Sequence, residues 1–312
     1  MSAPRRTLFV WDGQSLLHGQ FEALLEAEHR GDEVIVAVTK AEEGFSCEQP
    51  ATGGRRIERL RSFLSGRLRS PLYLLPIKSS QLSMAQLALR LRYDVPVFAH
   101  LVTSEQTLAR AASSLLGCTT QIVESDAAGP DLLTDGPGPL LRRGLFITRA
   151  QPFHLGHAAC VQKVAEEMDE VIVLVALSHT SHSLQNPATA GERLEMIHPY
   201  LQRVLPGRFH LAAAPYELHT ACNISELQLL LPSFERVYTN SPSIQVLAAS
   251  AGLQCCSVYS KVAVSGTLVR QALQDGGDLE QLLPPEVEAV LSRLGVRERL
   301  RRLASEEVRE ES

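Results

Sequence analysis

The chain lacks most of the features that would announce a particular chemistry. Its six cysteines (Cys47, Cys118, Cys160, Cys222, Cys255 and Cys256) form no C-x-x-C pair and no zinc-ligand rhythm. Buried thiols are expected rather than a metal knuckle or a disulfide framework. There is no excess of positive charge: 30 Lys and Arg against 35 Asp and Glu give a net charge of −5. A basic surface for nonspecific nucleic-acid binding is therefore not expected, although local patches remain available to small phosphates. No apolar run approaches about 18 residues and no signal peptide is apparent, so neither a membrane span nor secretion is expected and the chain reads as cytoplasmic. Acidic clusters of metal-binding type and nucleophile–base pairs are missing as well. What remains is ordinary for a globular protein, 45% hydrophobic and 21% charged over 312 residues, enough for one large or two ordinary domains.

The most informative feature is internal repetition. Displaced by 137 positions, the sequence lands on itself. Phe9 meets Phe146, Gln14 meets Gln151 and Gly19 meets Gly156. "DEVIV" at 32–36 meets "DEVIV" at 169–173, and Val38 meets Val175. Thr52, Gly54 and Arg56 meet Thr189, Gly191 and Arg193. These twelve identities in one unbroken register indicate a duplicated domain. Each copy opens with a short apolar run, "TLFVW" at 7–11 and "GLFIT" at 144–148. A Gly/Pro/Gln turn, a helix-period segment and a second apolar run follow. The alternation predicts βαβ units and a parallel sheet flanked by helices, hence an α/β fold of two tandem Rossmann-like domains. The expected division is 1–124 and 143–312, joined by a linker at 125–142 that contains "SDAAGPDLLTDGPGP". The C-terminal tail is expected to be helical and to end in solvated charges.

The copies differ where chemistry is expected. In open α/β sheets, ligands bind beyond the carboxyl ends of the strands, where the next helix presents its N-terminus. Free N–H groups and the helix dipole favour an anion there. At that place the second copy reads "RAQPFHLGHAAC". His154 and His157, at i and i+3, share a face of the first helical turn. Their ring nitrogens can donate to phosphate oxygens as charge builds in a transition state. Arg149 adds a guanidinium fork before the turn, and Gly156 permits close backbone approach. "TAGERLEMI" sets Arg193 at a second helix start, and "VSGTLVRQAL" sets Ser265, Thr267 and Arg270 at a third. Such a set suits phosphoryl or nucleotidyl transfer by positioning and charge stabilisation. For the third segment alone, an ordinary N-cap is the better account.

Taken together, "TRAQPFHLGH", "SHTSHSLQNPATAGERLEMI" (178–197), "VYTNSP" (237–242), "VSGTLVR" and "GVRERLRRLA" (295–304) resemble the archaeal-type nicotinamide mononucleotide adenylyltransferases of the HxGH nucleotidylyltransferase superfamily. The resemblance covers about 144–304 and implies a Rossmann-like domain of the HUP type. It further implies transfer of AMP from ATP to nicotinamide mononucleotide, with NAD and pyrophosphate as products and Mg²⁺ carried mainly by ATP. Residues matching the family's motifs are His154, His157, Arg149, Arg193 and Arg270 for catalysis. For ATP and its phosphates they are Gln151, Gly156, Thr189, Tyr238, Asn240, Ser265 and Thr267. Asn223 and Glu226 fall on the acceptor side, and no protein metal ligand is implied. Family members often assemble as rings of identical subunits, so a homo-oligomer is compatible with the resemblance.

Three departures bear on these expectations. Thr148 and Ala150 stand where the family has Gly and Phe. Glu226 stands three residues after Asn223, where the family carries a Trp that stacks on nicotinamide. Such stacking contributes about 1–3 kcal/mol, and Tyr216 and His219 are nearby candidates to replace it. This keeps open adenylyl or cytidylyl transfer to another phosphorylated acceptor, and a noncatalytic nucleotide sensor is the rival outside catalysis. The third departure is the first copy itself. Leu17, Gln20 and Asp12 stand at the positions of His154, His157 and Arg149, and "AAGPDLL" (127–133) at that of "VSGTLVR". His18 is one position out of register. The first copy is expected to keep the sheet without the chemistry, serving structure or assembly ahead of nucleotide regulation.

Overall fold

Both copies fold as the βα repeat their apolar runs predict. The computed structural model describes residues 4–310 except 13–14, 48, 70–71, 124–129, 134–139, 216–223 and 259–261. Contacts divide the chain into two compact units. One comprises residues 1–140 with Asn223–Ser233, and the other Leu141–Cys222 with 234–312.

In unit 1 the order is β1 (Arg6–Trp11), α1 (His18–His29), β2 (Glu33–Val38), α2 (Gly53–Leu64), β3 (Leu72–Pro76), α3 (Met84–Asp94), β4 (His100–Thr103), α4 (Gln106–Leu116) and β5 (Thr119–Ile122). The sheet order is β3-β2-β1-β4-β5, with every pair parallel. All six residues of β1 are buried, as expected for a central strand covered on both faces. Phe9, Trp11, Leu24, Val36, Ile57 and Leu60 build a core between the sheet, α1 and α2. Trp11, the chain's single tryptophan, is a core residue whose Nε1 donates to the Ser15 carbonyl at 2.8 Å.

The expected linker is partly core. Leu133 is buried and Leu132 packs beside it against the β1, α1 and α2 cluster. The Asp131 carboxylate accepts from the amides of Leu16 (2.9 Å) and Leu133 (3.0 Å), and the Leu132 amide donates to the Leu16 carbonyl at 2.9 Å. The Gly/Pro-rich composition concealed two leucines that close over the β1–α1 turn. Burying them follows from their apolar surface.

Unit 2 contains β6 (Arg143–Thr148), α5 (Leu155–Glu167), β7 (Glu170–Val175), α6 (Ala190–Val204), β8 (Phe209–Ala213), β9 (Arg236–Tyr238), α8 (Pro242–Ser250), β10 (Gln254–Cys256), α9 (Gly266–Asp275), α10 (Pro285–Arg293) and α11 (Val296–Glu310). Its sheet order, β10-β9-β6-β7-β8, is again all parallel and reproduces the first topology strand for strand. The expected tail helix is α11, anchored by Val296 and Leu300, both buried. Helix α7 (Ile224–Leu230), which lies in sequence between β8 and β9, groups with unit 1. The Glu58 carboxylate accepts from the Ser233 amide and hydroxyl, each at 3.3 Å. A side chain at Gly54 would collide with the Leu231 carbonyl. The span 143–312 is therefore not one continuous domain.

The repeated "DEVIV" serves the amino ends of the strands. Arg6 Nε donates to Glu33 at 2.6 Å and Arg143 Nε to Glu170 at 2.9 Å, at matching positions of the β1–β2 and β6–β7 pairs. Among the described residues, no helix is long and apolar enough to cross a membrane.

Candidate active site

In each sheet the strand order reverses beside the first strand, the switch point where α/β folds bind ligands. In unit 2 this lies at the carboxyl ends of β6 and β9. His154 is the N-cap of α5, with extended backbone (φ −131°). Its amide donates to His157 Nδ1 at 3.3 Å, so Nδ1 of neutral His157 is an acceptor and the ring proton sits on Nε2. The two imidazoles stack with centroids 3.7 Å apart, and Phe153 lies against His157 at 5.5 Å. His154 Nδ1 is buried without a hydrogen-bond partner. Burial lowers the pKa of His154 to about 4. Burial also holds His157 well below the ordinary value, with smaller contributions from His154 and Arg149. Both rings are therefore neutral donors or acceptors at pH 7.

The start of α9 closes the other side. Ser265 caps the helix, accepting from the Leu268 amide at 3.2 Å. Arg270 donates to the Gln151 carbonyl at 2.9 Å and to Thr267 Oγ1 at 3.2 Å. Burial, with the nearby Arg149 charge second, lowers the Arg270 pKa. A Cβ on Gly156 would stand 3.0 Å from the His154 ring and 3.1 Å from the Val264 carbonyl; a Cβ on Gly266 would stand 3.3 Å from the Gln151 carbonyl. The absence of side chains at both glycines lets the two helix starts converge on one turn. His154, His157, Arg149, Arg270, Ser265 and Thr267 are thus assembled at one locus, with the exposed Arg149 side chain at its rim.

Other expected site residues are committed to backbone. The Gln151 amide pairs with Ala188, donating to its carbonyl at 2.8 Å and accepting from its N–H at 3.1 Å. The Asn240 amide does the same with Val258, at 2.5 and 3.0 Å. Thr189 Oγ1 caps α6, accepting from Glu192 at 3.2 Å. These three tie the loops around the site. The Tyr238 side chain, expected on the ATP side, is directed to the far end of α5. Its ring is buried against Gly144, and its hydroxyl donates to Glu167 at 2.8 Å. Glu167 ends α5, about 20 Å of helix from His154 at 1.5 Å per residue. Burial foremost, and then the Glu167 carboxylate, push the Tyr238 pKa up to about 12. Arg193, expected among the catalytic residues, makes its bonds to backbone. It is fully buried, and its nitrogens donate to the carbonyls of Arg149 (2.8 Å), Ala176 (2.8 Å), Leu177 (2.9 Å) and Thr189 (3.2 Å). On the acceptor side, Asn223 lies outside the described residues, and the Glu226 carboxylate forms an ion pair with Lys78 within unit 1.

Arg299 in α11 was not anticipated. It donates to both Glu192 oxygens at 2.6 and 2.7 Å and to the Pro187 carbonyl at 2.8 Å. Glu192 in turn accepts from the Thr189 amide at 2.9 Å, completing a capping box. The S/T-x-x-E spacing of Thr189 and Glu192 was readable, but a partner 107 residues away was not. Among the described residues, no group of three or more His, Cys, Asp or Glu side chains is arranged to hold a metal ion. The site is cationic and rich in donors, which suits a metal arriving on a triphosphate.

Residues 145–272 match the Cytidylyltransferase-like family, which gives the class: a nucleotidyltransferase-type domain in the second half. Among curated relatives, the nicotinamide-nucleotide adenylyltransferase of Methanothrix thermoacetophila is 35% identical over 170 residues, covering 54% of this chain and 99% of the relative. That of Halobacterium salinarum is 34% identical, covering 53% and 93%. Through its second half, the chain belongs to the nicotinamide-nucleotide adenylyltransferase family. A solved bifunctional NMN adenylyltransferase/ADP ribose pyrophosphatase from Francisella tularensis aligns with 52% of each chain at 16% identity and TM-score 0.44.

Proposed function

We propose that the second half transfers the adenylyl group of Mg·ATP to nicotinamide mononucleotide in the cytoplasm. A 5′-phosphate oxygen of the mononucleotide bonds to the α-phosphorus, the α–β bridging bond breaks, and magnesium pyrophosphate leaves with the electron pair. The attacking phosphate is already anionic, so neither a general base nor a covalent enzyme intermediate is required. Charge that develops on the phosphoryl oxygens meets His154, His157, Arg149 and Arg270, and stabilising it is the enzyme's task. The observation carrying this reading is the stacked histidine pair at the α5 N-terminus, beside two arginines. Ser265 and Thr267, with the first amides of α9, extend the cradle for the outgoing phosphates.

The test is an acceptor panel. The protein is incubated with ATP, Mg²⁺ and nicotinamide mononucleotide, or with mononucleotides bearing other bases, and pyrophosphate release is measured. Release is expected with the nicotinamide compound. Release only with another phosphate ester rejects this acceptor, and no release with any acceptor rejects catalysis.

A further inference from the structure

Arg56 and Arg193 occupy the same register position in the two copies and share three backbone acceptors. Arg56 is buried and donates to the carbonyls of Asp12 (2.5 Å), Thr39 (3.1 Å) and Lys40 (2.6 Å). Three of the Arg193 acceptors, Arg149, Ala176 and Leu177, stand at the matching positions. The backbone they grip is also matched. Lys40 has φ +49° and Leu177 φ +53°, both in the left-handed region although neither is glycine. A non-glycine residue there is strained and persists only where its surroundings hold it. Loop carbonyls buried at strand ends also need donors, and a guanidinium offers five in a rigid fork.

Such an arginine serves either the fold or a bound phosphate, and unit 1 separates the two. It has Leu17, Gln20 and Asp12 in place of the histidines and Arg149, and Leu132 and Leu133 pack over its β1–α1 turn. The clamp persists in a unit that lacks the histidine pair and the counterpart of Arg149, so the fold is enough to account for it. In unit 2, however, one gripped carbonyl belongs to Arg149. The Arg149 charge reaches both His157 and Arg270.

We infer that Arg193 is a positioning residue: it fixes the strand-end loops so that Arg149 is held toward the phosphate site, and it makes no phosphate contact itself. The kinetic part of the test rests on the adenylyltransferase reading, whereas the thermal part does not. Full-length wild type, Arg193→Met, Arg193→Lys and Arg56→Met are melted with and without saturating Mg·ATP. A lysine cannot span the separated carbonyls, so both Arg193 variants should lower the apo Tm, Arg193→Met by about 5 °C or more. The rise in Tm on adding Mg·ATP should match wild type within about 2 °C. Arg56→Met should lower the apo Tm similarly and leave turnover unchanged. In Arg193→Lys, kcat should fall at least about tenfold while KM for ATP moves less than about threefold, the pattern of a misplaced transition-state group. An unchanged apo Tm with loss of the ATP-induced rise would show direct phosphate contact and overturn the inference. An Arg56→Met protein as stable as wild type would overturn it too. Should Arg193→Met not fold, Arg193→Lys carries the decision. Wild type that binds Mg·ATP but turns over no acceptor would defeat the functional reading and leave the thermal comparison standing.

Discussion

The two units share a strand order, a pair of strand-end ion pairs and a buried arginine clamp, and differ at the turn after the first strand. In unit 2 that turn carries stacked imidazoles beside Arg149 and Arg270. In unit 1 the same turn carries Leu17 and Gln20, with the Gln20 side chain accepting from the Leu17 amide at 3.0 Å. The bond from the His154 amide to the His157 side chain is thus reproduced by a leucine and a glutamine. Helix capping at this turn does not require histidine. We propose that the histidines serve by what they present to a ligand.

The comparison breaks most readily at the histidines. His157→Ala is expected to lower kcat by about 10²–10³, the scale for a lost transition-state donor, with ATP affinity changed much less. Pyrophosphate release and equilibrium ATP binding measured on one preparation check this. Equal losses in both would mean that His157 binds the ground state.

A second prediction concerns what unit 2 has added to the shared fold. Arg55 stands in register with Glu192, so the Arg299–Glu192 fork has no counterpart in unit 1. Arg299→Met leaves the mostly buried Glu192 carboxylate without its cation and should destabilise unit 2 by about 3 kcal/mol, read by denaturant unfolding. Burial pushes the Glu192 pKa up, but hydrogen bonds from Arg299 and Thr189 outweigh it and hold the pKa below the ordinary range. Arg299→Met should therefore raise it. A stability within error of wild type would demote Arg299 to a surface residue.

The third prediction is a pH dependence. His154 has a folded pKa of about 4 against an ordinary 6.5. As pH falls, the unfolded chain takes up the proton first. The stabilisation from keeping this ring neutral is whole above pH 6.5 and lost by about pH 4, amounting to about 3 kcal/mol. His154→Gln should flatten that part of the stability profile. A bound triphosphate favours the charged rings, so ATP binding near pH 6 should take up protons. Calorimetry in buffers of different ionisation enthalpy measures the uptake, and none would contradict the placement of the phosphates over the rings.

The smallest expected effect is the sharpest control: Gln20→Ala should leave turnover unchanged. A large drop in pyrophosphate release would restore chemistry to unit 1.

Much of this was legible in the sequence because it is local. Apolar runs such as "LFVW" and "EVIV" give buried parallel strands, and the 137-residue register gives the duplication. The histidines, Ser265 and Arg270 stand at helix starts, where short spacing encodes geometry. The rest depends on distant partners. Gln151 meets Ala188 across 37 residues and Arg299 meets Glu192 across 107, and no local pattern encodes either. The bond from Tyr238 to Glu167 was not legible because a three-residue strand does not reveal where a long aromatic will extend. The buried Leu132 and Leu133 were hidden in a stretch whose Gly and Pro content signals a loop, and α7 follows an apolar pattern that does not name its partner.

The most direct measurement is a crystal structure of the full chain with a nonhydrolysable ATP analogue and Mg²⁺. Density for the triphosphate over His154 and His157, against the N-terminus of α9, is the predicted result. A triphosphate bound at the β1–α1 turn of unit 1, with the histidine pair bare, would contradict the account.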